Sequence, residues 1–390
     1  MFNILDGIIV LILLIQSIRW AKQGFIQGIF PLVGFWLGVL GGAWLAPHVI
    51  NLLEGSLEKL AVTLALIVTV ALLGGAIGEL IGSSLSQVSR RFKLRTLDSV
   101  LGAVFSVGLG LFIVWLLAAV LVTGPFQGVN TAIRQSAVLQ TLNDRLPPAP
   151  NTVSRLGGLI NQADFPRVFT GLGPRPVEPV DLPDSPAVQS AVDAAGAATV
   201  RLESSGCGGI VNGSGFMVAP NVVMTNAHVI AGIDDPVIVD QAGSHAGTPI
   251  YFDPARDIAL VRAQGLAGTP LSLVENTVDR GRKAVTLGYP EGGRLDAEPT
   301  GVLQYINASG RDIYNQQTVT RPVYELQAEV VSGNSGGPVV TPQGSVIGMV
   351  FARSISDQNT GYAVTSAALK PVVAGNADDR SSVDTARCSP

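Results

Sequence analysis

The chain has 390 residues, a formal net charge of -4, 47% apolar residues and only 14% charged ones, with a mean hydropathy of +0.40. That charged share is roughly half of what a soluble globular protein carries, and the acidic balance excludes the basic surface that nucleic acid requires of a partner. The apolar excess lies before Pro125, whereas the sequence after Pro147 has ordinary mixed polarity. A membrane segment joined to a soluble domain is therefore expected, not a fibrous, disordered or wholly soluble chain.

Four apolar runs come first: Phe2 to Ile18, Phe25 to Pro47, Leu60 to Gly78 and Ser99 to Thr123. Each has roughly 17 to 25 residues, the length that a hydrocarbon core of about 30 Å demands of a helix. No small-residue cleavage site follows Ile18, so the first run reads as a span and not as a signal peptide. Arg19 and Lys22 sit between the first two runs, and Arg90, Arg91, Lys93 and Arg95 between the last two. Positive loops stay in the cytoplasm, which places everything after the fourth span outside it. Gly34, Gly38 and Gly42, and again Gly74, Gly78 and Gly82, recur at every fourth residue. Such stripes let helix backbones approach closely, within the chain or in self-association. Residues 1–124 are thus a four-helix membrane domain with the lipid bilayer as partner.

Residues 125–186 read as a linker. Val129 to Leu146 and Val153 to Ala163 have near-helical apolar spacing, and five prolines from Pro174 to Pro186 favour an extended spacer. From residue 187 to 390 short β-branched runs alternate with Gly, Asn, Asp and Pro. They include Phe216 to Val218, Val222 to Thr225, Val237 to Val239, Ile258 to Val261, Ala284 to Leu287, Val319-Thr320 and Val346 to Phe351. Many short strands at that spacing predict an all-β barrel fold. Helices are expected only at Pro186 to Ala197 and Ser366 to Ala374.

Three strings in this half carry chemistry: Thr225-Asn226-Ala227-His228, Arg256-Asp257-Ile258-Ala259 and Gly333-Asn334-Ser335-Gly336-Gly337-Pro338. A serine hydroxyl becomes nucleophilic when an imidazole takes its proton, and the imidazole needs a carboxylate to hold its tautomer. A tight glycine turn points the N–H groups of Gly333 and Ser335 at one spot, where an oxyanion is stabilised. Asp253 competes with Asp257 for the carboxylate role. Neither a cofactor nor a metal is expected for this chemistry.

In the order His, Asp, Ser within an all-β segment, these strings resemble the trypsin-like serine peptidases, and most of all their bacterial stress-protease branch. The resemblance implies a double β-barrel, with His228 as general base, Asp257 as its orienting partner and Ser335 as nucleophile. Asn3-Ile4-Leu5-Asp6-Gly7, the turn from Arg19 to Gly24 and Leu97-Asp98-Ser99-Val100-Leu101-Gly102 resemble the colicin V production proteins, a family of four-span membrane proteins. The two modules together are similar to the membrane-anchored acid-resistance proteases of actinobacteria, the MarP type. That similarity implies a periplasmic serine endopeptidase acting on protein or peptide substrates of the cell envelope under acid or oxidative stress. In the alternative reading the membrane helices carry a transport or scaffold role and the protease domain regulates or binds.

Cys207 and Cys388 are the only cysteines, and in an oxidising compartment they are expected to form a disulfide. Closing so long a loop is worth up to roughly 5 kcal/mol on the chain-entropy model. Asn334 stands where trypsin-like zymogens place an aspartate, which speaks against activation by a new N-terminus. Glu329, six residues before Ser335, is a candidate for selecting basic side chains in the S1 pocket.

Overall fold

The computed structural model describes residues 2–50, 56–91, 95–122, 127–146, 168–169, 173, 177–354 and 357–389. The chain divides into two compact units, one of residues 1–117 with 136–138 and one of residues 118–135 with 139–390.

The first unit contains α1 (Ile4–Gln23), α2 (Phe25–Ile50), α3 (Ser56–Arg91) and most of α4 (Arg95–Leu121). All four are long and apolar enough to cross a membrane. Arg90 and Arg91, expected in a loop, are the last residues of α3. The two glycine stripes meet each other. A Cβ at Gly34 would stand 2.1 Å from the Gly74 carbonyl oxygen, and one at Gly78 would stand 2.2 Å from that of Phe30. The stripes are therefore consumed by α2–α3 packing within one chain, where backbone lies on backbone.

The three segments that resemble colicin V production proteins turn out to be capping devices. Asp98, at the start of α4, accepts a hydrogen bond from the Ile26 N–H at 3.0 Å and so caps the N-terminus of α2. Gly24 (φ +90°) makes room for it, since a Cβ there would collide with the Asp98 carboxylate. Asp6 caps in the same way from α1. Its carboxylate accepts the Ser136 hydroxyl at 2.5 Å and the N–H groups of Ala137 and Val138 at 3.1 and 3.0 Å. It is fully buried, so the end of the first span is tied to the segment that follows the fourth.

The stretch from Val129 to Leu146 is not one helix but two, α5 (Gln127–Gln135) and α6 (Ala137–Arg145), broken at Ser136, with residues 136–138 counted in the first unit and the rest in the second. Val153 to Ala163 lies outside the described residues. Of the Pro-rich stretch, residues 177–184 run along the second barrel described below. The Val180 N–H donates to Gln327 Oε1 at 2.8 Å, and Arg280 Nη2 donates to the Glu178 carbonyl at 2.7 Å.

Two closed antiparallel barrels follow α7 (Ser185–Ala195). The first has β1 (Thr199–Gly206), β2 (Gly209–Ala219), β3 (Val222–Thr225), β4 (Val237–Asp240), β5 (Gly243–Asp253) and β6 (Ile258–Ala263) in the order 1-2-3-6-5-4. The second has β7 (Lys283–Gly288), β8 (Asp296–Arg311), β9 (Thr318–Gln327), β10 (Pro338–Val340), β11 (Val346–Arg353) and β12 (Thr360–Thr365) in the order 10-11-12-9-8-7. Short β-branched strands with inward Val, Ile, Leu and aromatic side chains close such barrels because inward and outward positions alternate. Phe216, Met224, Ile238 and Ile258 fill the first barrel, and Phe351, Tyr324 and Tyr362 the second; all are fully buried. The terminal helix α9 (Ser366–Asn376) follows β12 directly. The fold is thus the expected one: helical membrane segment first, all-β trypsin-like domain second.

Candidate active site

His228 sits on α8 (Ala227–Ile230), a single turn at the end of β3. Its ring Nδ1 is 2.8 Å from Asp257 Oδ2, and its backbone N–H donates to Asp257 Oδ1 at 2.9 Å. The carboxylate thus holds both the ring and the backbone of one residue, which fixes the imidazole's tautomer, Nδ1–H toward the acid. Asp257 adopts φ +61° in the turn before β6, and Asn226 Nδ2 donates to its carbonyl at 2.9 Å. Burial would raise the Asp257 carboxyl, but His228 and Arg321 outweigh that, so it lies below the usual aspartate value. Asp253, the competitor, is elsewhere engaged: it accepts from Arg256 Nε at 2.5 Å and from two backbone N–H groups.

Ser335 lies in the turn between β9 and β10 and is 5% exposed. Three of its neighbours have to be glycine. A Cβ at Gly336 (φ +85°) would stand 2.1 Å from the Ser214 carbonyl oxygen, one at Gly333 (φ +95°) 2.4 Å from that of Tyr289, and one at Gly337 2.2 Å from that of Leu287. Gly336 N–H donates to the Val350 carbonyl at 2.8 Å and Val350 N–H returns a bond to Gly337 at 2.9 Å, which pins the turn to β11. The N–H groups of Gly333 and Ser335 donate to no acceptor among the described residues, as donors reserved for an oxyanion would. Ser335 Oγ and the His228 ring are not hydrogen-bonded among the described residues; such bonds often tighten only when substrate arrives.

Ser214, on β2, went unnoticed in the sequence. Its N–H donates to the Ser335 carbonyl at 2.8 Å and its hydroxyl to the Gly333 carbonyl at 2.7 Å. The hydroxyl also accepts the Tyr289 N–H at 2.8 Å, while the Thr225 hydroxyl donates to the Ser214 carbonyl at 2.8 Å. One serine of the first barrel therefore holds the Ser335 turn of the second. The trace in the sequence is a serine between two glycines, Gly213 and Gly215, in a strand whose only other polar side chain is Asn212. Arg321 was missed as well. It is 2% exposed on β9, where a charged residue in an alternating strand is expected to face water.

Glu329 is exposed, and its N–H donates to Glu298 Oε1 at 3.3 Å. It lines a cavity of about 470 Å³ together with Glu298, Glu325, Asp357 and Arg134, and neither His228 nor Ser335 lines that cavity. Burial, aided by Asp296 and Glu329, raises the Glu298 carboxyl above its usual value.

Cys207 and Cys388 are bonded, with Cα atoms 5.7 Å apart. Cys207 (φ +53°) is in the turn between β1 and β2. The tail it holds runs past Gly232, whose N–H donates to the Thr385 carbonyl at 3.1 Å. Any Cβ at Gly232 would meet Cys388. Farther along the tail, the Arg387 guanidinium stacks on the Tyr314 ring at 5.1 Å.

Comparison with known proteins matches both halves. A family model described as trypsin-like peptidase domain matches residues 213–349, and one described as colicin V production protein matches residues 5–147. The serine protease Rv3671c of Mycobacterium tuberculosis is 32% identical over 368 residues, which cover 93% of each chain. The crystal structure of the active form of the Rv3671c protease is similar with a TM-score of 0.54 at 34% identity, covering 56% of this chain and 97% of the other. A probable periplasmic DegP-like serine endoprotease of Pseudomonas fluorescens is 30% identical over 159 residues, 39% of this chain and 32% of the relative. A His–Asp pair beside a glycine-bound serine turn in a double barrel, joined to a colicin V-type helical segment, is the make-up of one protein family, and this chain, a serine endopeptidase, belongs to it: the membrane-linked trypsin-like serine proteases of the Rv3671c type.

Proposed function

We propose that the chain is a membrane-anchored endopeptidase whose catalytic domain lies outside the cytoplasm and cleaves envelope proteins, in a role that supports survival in acid or oxidative stress. The observation that carries the catalytic part is the double grip of Asp257 on His228, at 2.8 and 2.9 Å. In this reading Ser335 Oγ attacks the scissile carbonyl while His228 Nε2 takes its proton. Asp257 stabilises the imidazolium so formed, and the N–H groups of Gly333 and Ser335 receive the oxyanion. Collapse of the tetrahedral intermediate passes the proton to the leaving amine and leaves an acyl-enzyme. Water then enters with the same base and frees Ser335.

The location rests on the basic residues at the α1–α2 and α3–α4 turns. The Asp6–Ser136 bond fits an even number of spans, which brings the start of α1 and the exit of α4 to one side of the bilayer, while the side itself rests on the charge bias. The Cys207–Cys388 bond suits an oxidising compartment. Envelope proteins from cells with the native protein and with Ser335→Ala, compared by N-terminal mass spectrometry, test the assignment. New N-termini lost in the variant are expected; identical termini in both would overturn it.

A further inference from the structure

Thr385, in the tail after α9, has no exposed surface, and a hydroxyl is buried so completely where it finds a hydrogen-bond partner. The tail is bound along the first barrel before it reaches the disulfide. Arg262 on β6 donates through Nη2 to the Ala377 and Asp379 carbonyls at 2.7 and 2.8 Å. The Val383 N–H donates to the Pro249 carbonyl of β5 at 2.9 Å. Thr385 then closes on the turn that follows α8. Its hydroxyl donates to the Ile233 carbonyl at 3.1 Å, and its own carbonyl accepts the Gly232 N–H at 3.1 Å. The Ile233 N–H in turn donates at 3.1 Å to the carbonyl of Ile230, the last residue of the helical turn that bears His228.

The same tail reaches the Asp257 side through Tyr314. That residue sits at the tip of the β8–β9 hairpin, which Asp312 stiffens by accepting the Gln316 and Gln317 N–H groups at 2.7 and 3.1 Å. The Tyr314 hydroxyl donates to the Arg387 carbonyl at 3.0 Å, and the Arg387 guanidinium covers its ring. The neighbouring Ile313 N–H donates to the Pro254 carbonyl at 3.2 Å, and the Asp257 N–H to that of Asp253 at 2.9 Å. The hairpin tip is thus bonded to the turn that ends in Asp257. Two turns, one on each side of the His228–Asp257 contact, share one strap.

We propose that Thr385 is a positioning residue for the His–Asp pair: its hydroxyl and carbonyl lock the turn behind His228 to a tail that Tyr314 anchors to the turn before Asp257. The inference rests on the reading of His228 as base and Asp257 as its orienting partner. The contact of 2.8 Å between His228 Nδ1 and Asp257 Oδ2 needs both turns in register. Reactive geometry tolerates little looseness, since about 1 Å of misplacement can cost on the order of 100-fold in rate. The Cys207–Cys388 bond does a different task. It ties the tail to the β1–β2 turn and limits how far the tail can leave, whereas the Thr385 bonds decide where the His228 turn sits.

The test uses the oxidised full-length chain in detergent and the rate at which a fluorescent fluorophosphonate labels it. That rate needs no knowledge of the substrate. Thr385→Val keeps the shape and removes the hydroxyl. It is expected to lower the limiting rate of labelling about tenfold, with the half-saturating probe concentration within about twofold of the native one. Thr385→Ser restores the hydroxyl and is expected to label within about twofold of the native rate. Tyr314→Phe keeps the ring, loses the bond to Arg387 and is expected to label about threefold more slowly. Intact mass before and after alkylation reads the disulfide, which is expected to stay formed in all three. Should Thr385→Val not fold, Tyr314→Phe, which leaves Thr385 in place, is read in the same way. A lower melting temperature with an unchanged limiting rate would show a merely structural residue and overturn the proposal. A slower rate found only where the disulfide has opened would assign the effect to the staple and overturn it too. Labelling of Ser335→Ala at the native rate would overturn the triad reading itself, and this role with it.

Discussion

The two units use the same residue type for opposite ends. In the helical unit, glycine removes side chain so that α2 and α3 can touch backbone to backbone, as Gly34 and Gly74 do. In the protease unit, Gly333 and Gly336 adopt positive φ and shape a turn around Ser335. Burial contrasts as well. Leu, Ile and Phe side chains of α1 to α4 are largely exposed on the outside of the unit, whereas those of the barrels are fully enclosed. Lipid tails are as apolar as leucine, so a membrane segment gains little by burying them and relies on close fit and satisfied polar groups. A soluble barrel gains about 25 cal/mol for each Å² of apolar surface it hides. In the helical unit the buried Asp6 and the half-buried Asp98 act as structural caps, while in the barrels Asp257, Asn226, Ser214 and Ser335 are buried together around the proposed site.

The sharpest break between the units is Ser335→Ala. Loss of the proposed nucleophile is expected to lower turnover by about 10³-fold or more, while the melting temperature of the protease unit stays within about 1 °C, and a peptidase assay beside calorimetry reads both. Gly34→Leu should do the reverse. It places a side chain where even a Cβ would be 2.1 Å from the Gly74 carbonyl. Recovery of monodisperse protein from membranes is expected to fall several-fold, while Gly7→Ala, with nothing within 4 Å, is expected to be silent.

The next effect is the disulfide. Cys207→Ser and Cys388→Ser should each cost roughly 2–5 kcal/mol, and the double variant should be no worse than either, because one bond is lost in every case. Thermal midpoints with and without reductant check this; a native midpoint that is indifferent to reductant while the bond breaks would remove the stapling role. Ser214→Ala should cost about 1–3 kcal/mol in stability and, by loosening the oxyanion turn, on the order of 10–100-fold in kcat/KM with KM little changed. Equal activity of Ser214→Ala and native enzyme would detach the first barrel from the oxyanion turn. The smallest effect is expected of Asp6→Ala, about 1 kcal/mol for a lost helix cap, read as a modest drop in the unfolding temperature of the helical unit in detergent.

The proposed triad stands out in the sequence because its chemistry is local. A histidine after Thr-Asn-Ala and a serine in Gly-Asn-Ser-Gly-Gly each need a particular neighbouring backbone, and that need is written beside them. The four spans were legible for the same reason, since length and hydropathy are local. Ser214, Arg321 and Asp6 were not, because their partners are distant in sequence. Ser214 meets Gly333 across 119 residues, and Asp6 meets Ser136 across 130. The glycine stripes were recognised as contact surfaces, but no periodicity says which helix faces which.

The sequence by itself determined where the chain is apolar, where strands replace helices, and which residue types stand ready for serine peptidase chemistry; each follows from side-chain period, hydropathy and turn chemistry within a few residues. Only the tertiary structure decided that α2 packs on α3 through glycine, that Asp98 caps α2 and Asp6 the start of α6, that residues 177–184 lie on the second barrel, and that Ser214 of the first barrel holds the Ser335 turn of the second. These are long-range pairings, and their free energy comes from burial and charge compensation between segments whose proximity no local pattern encodes.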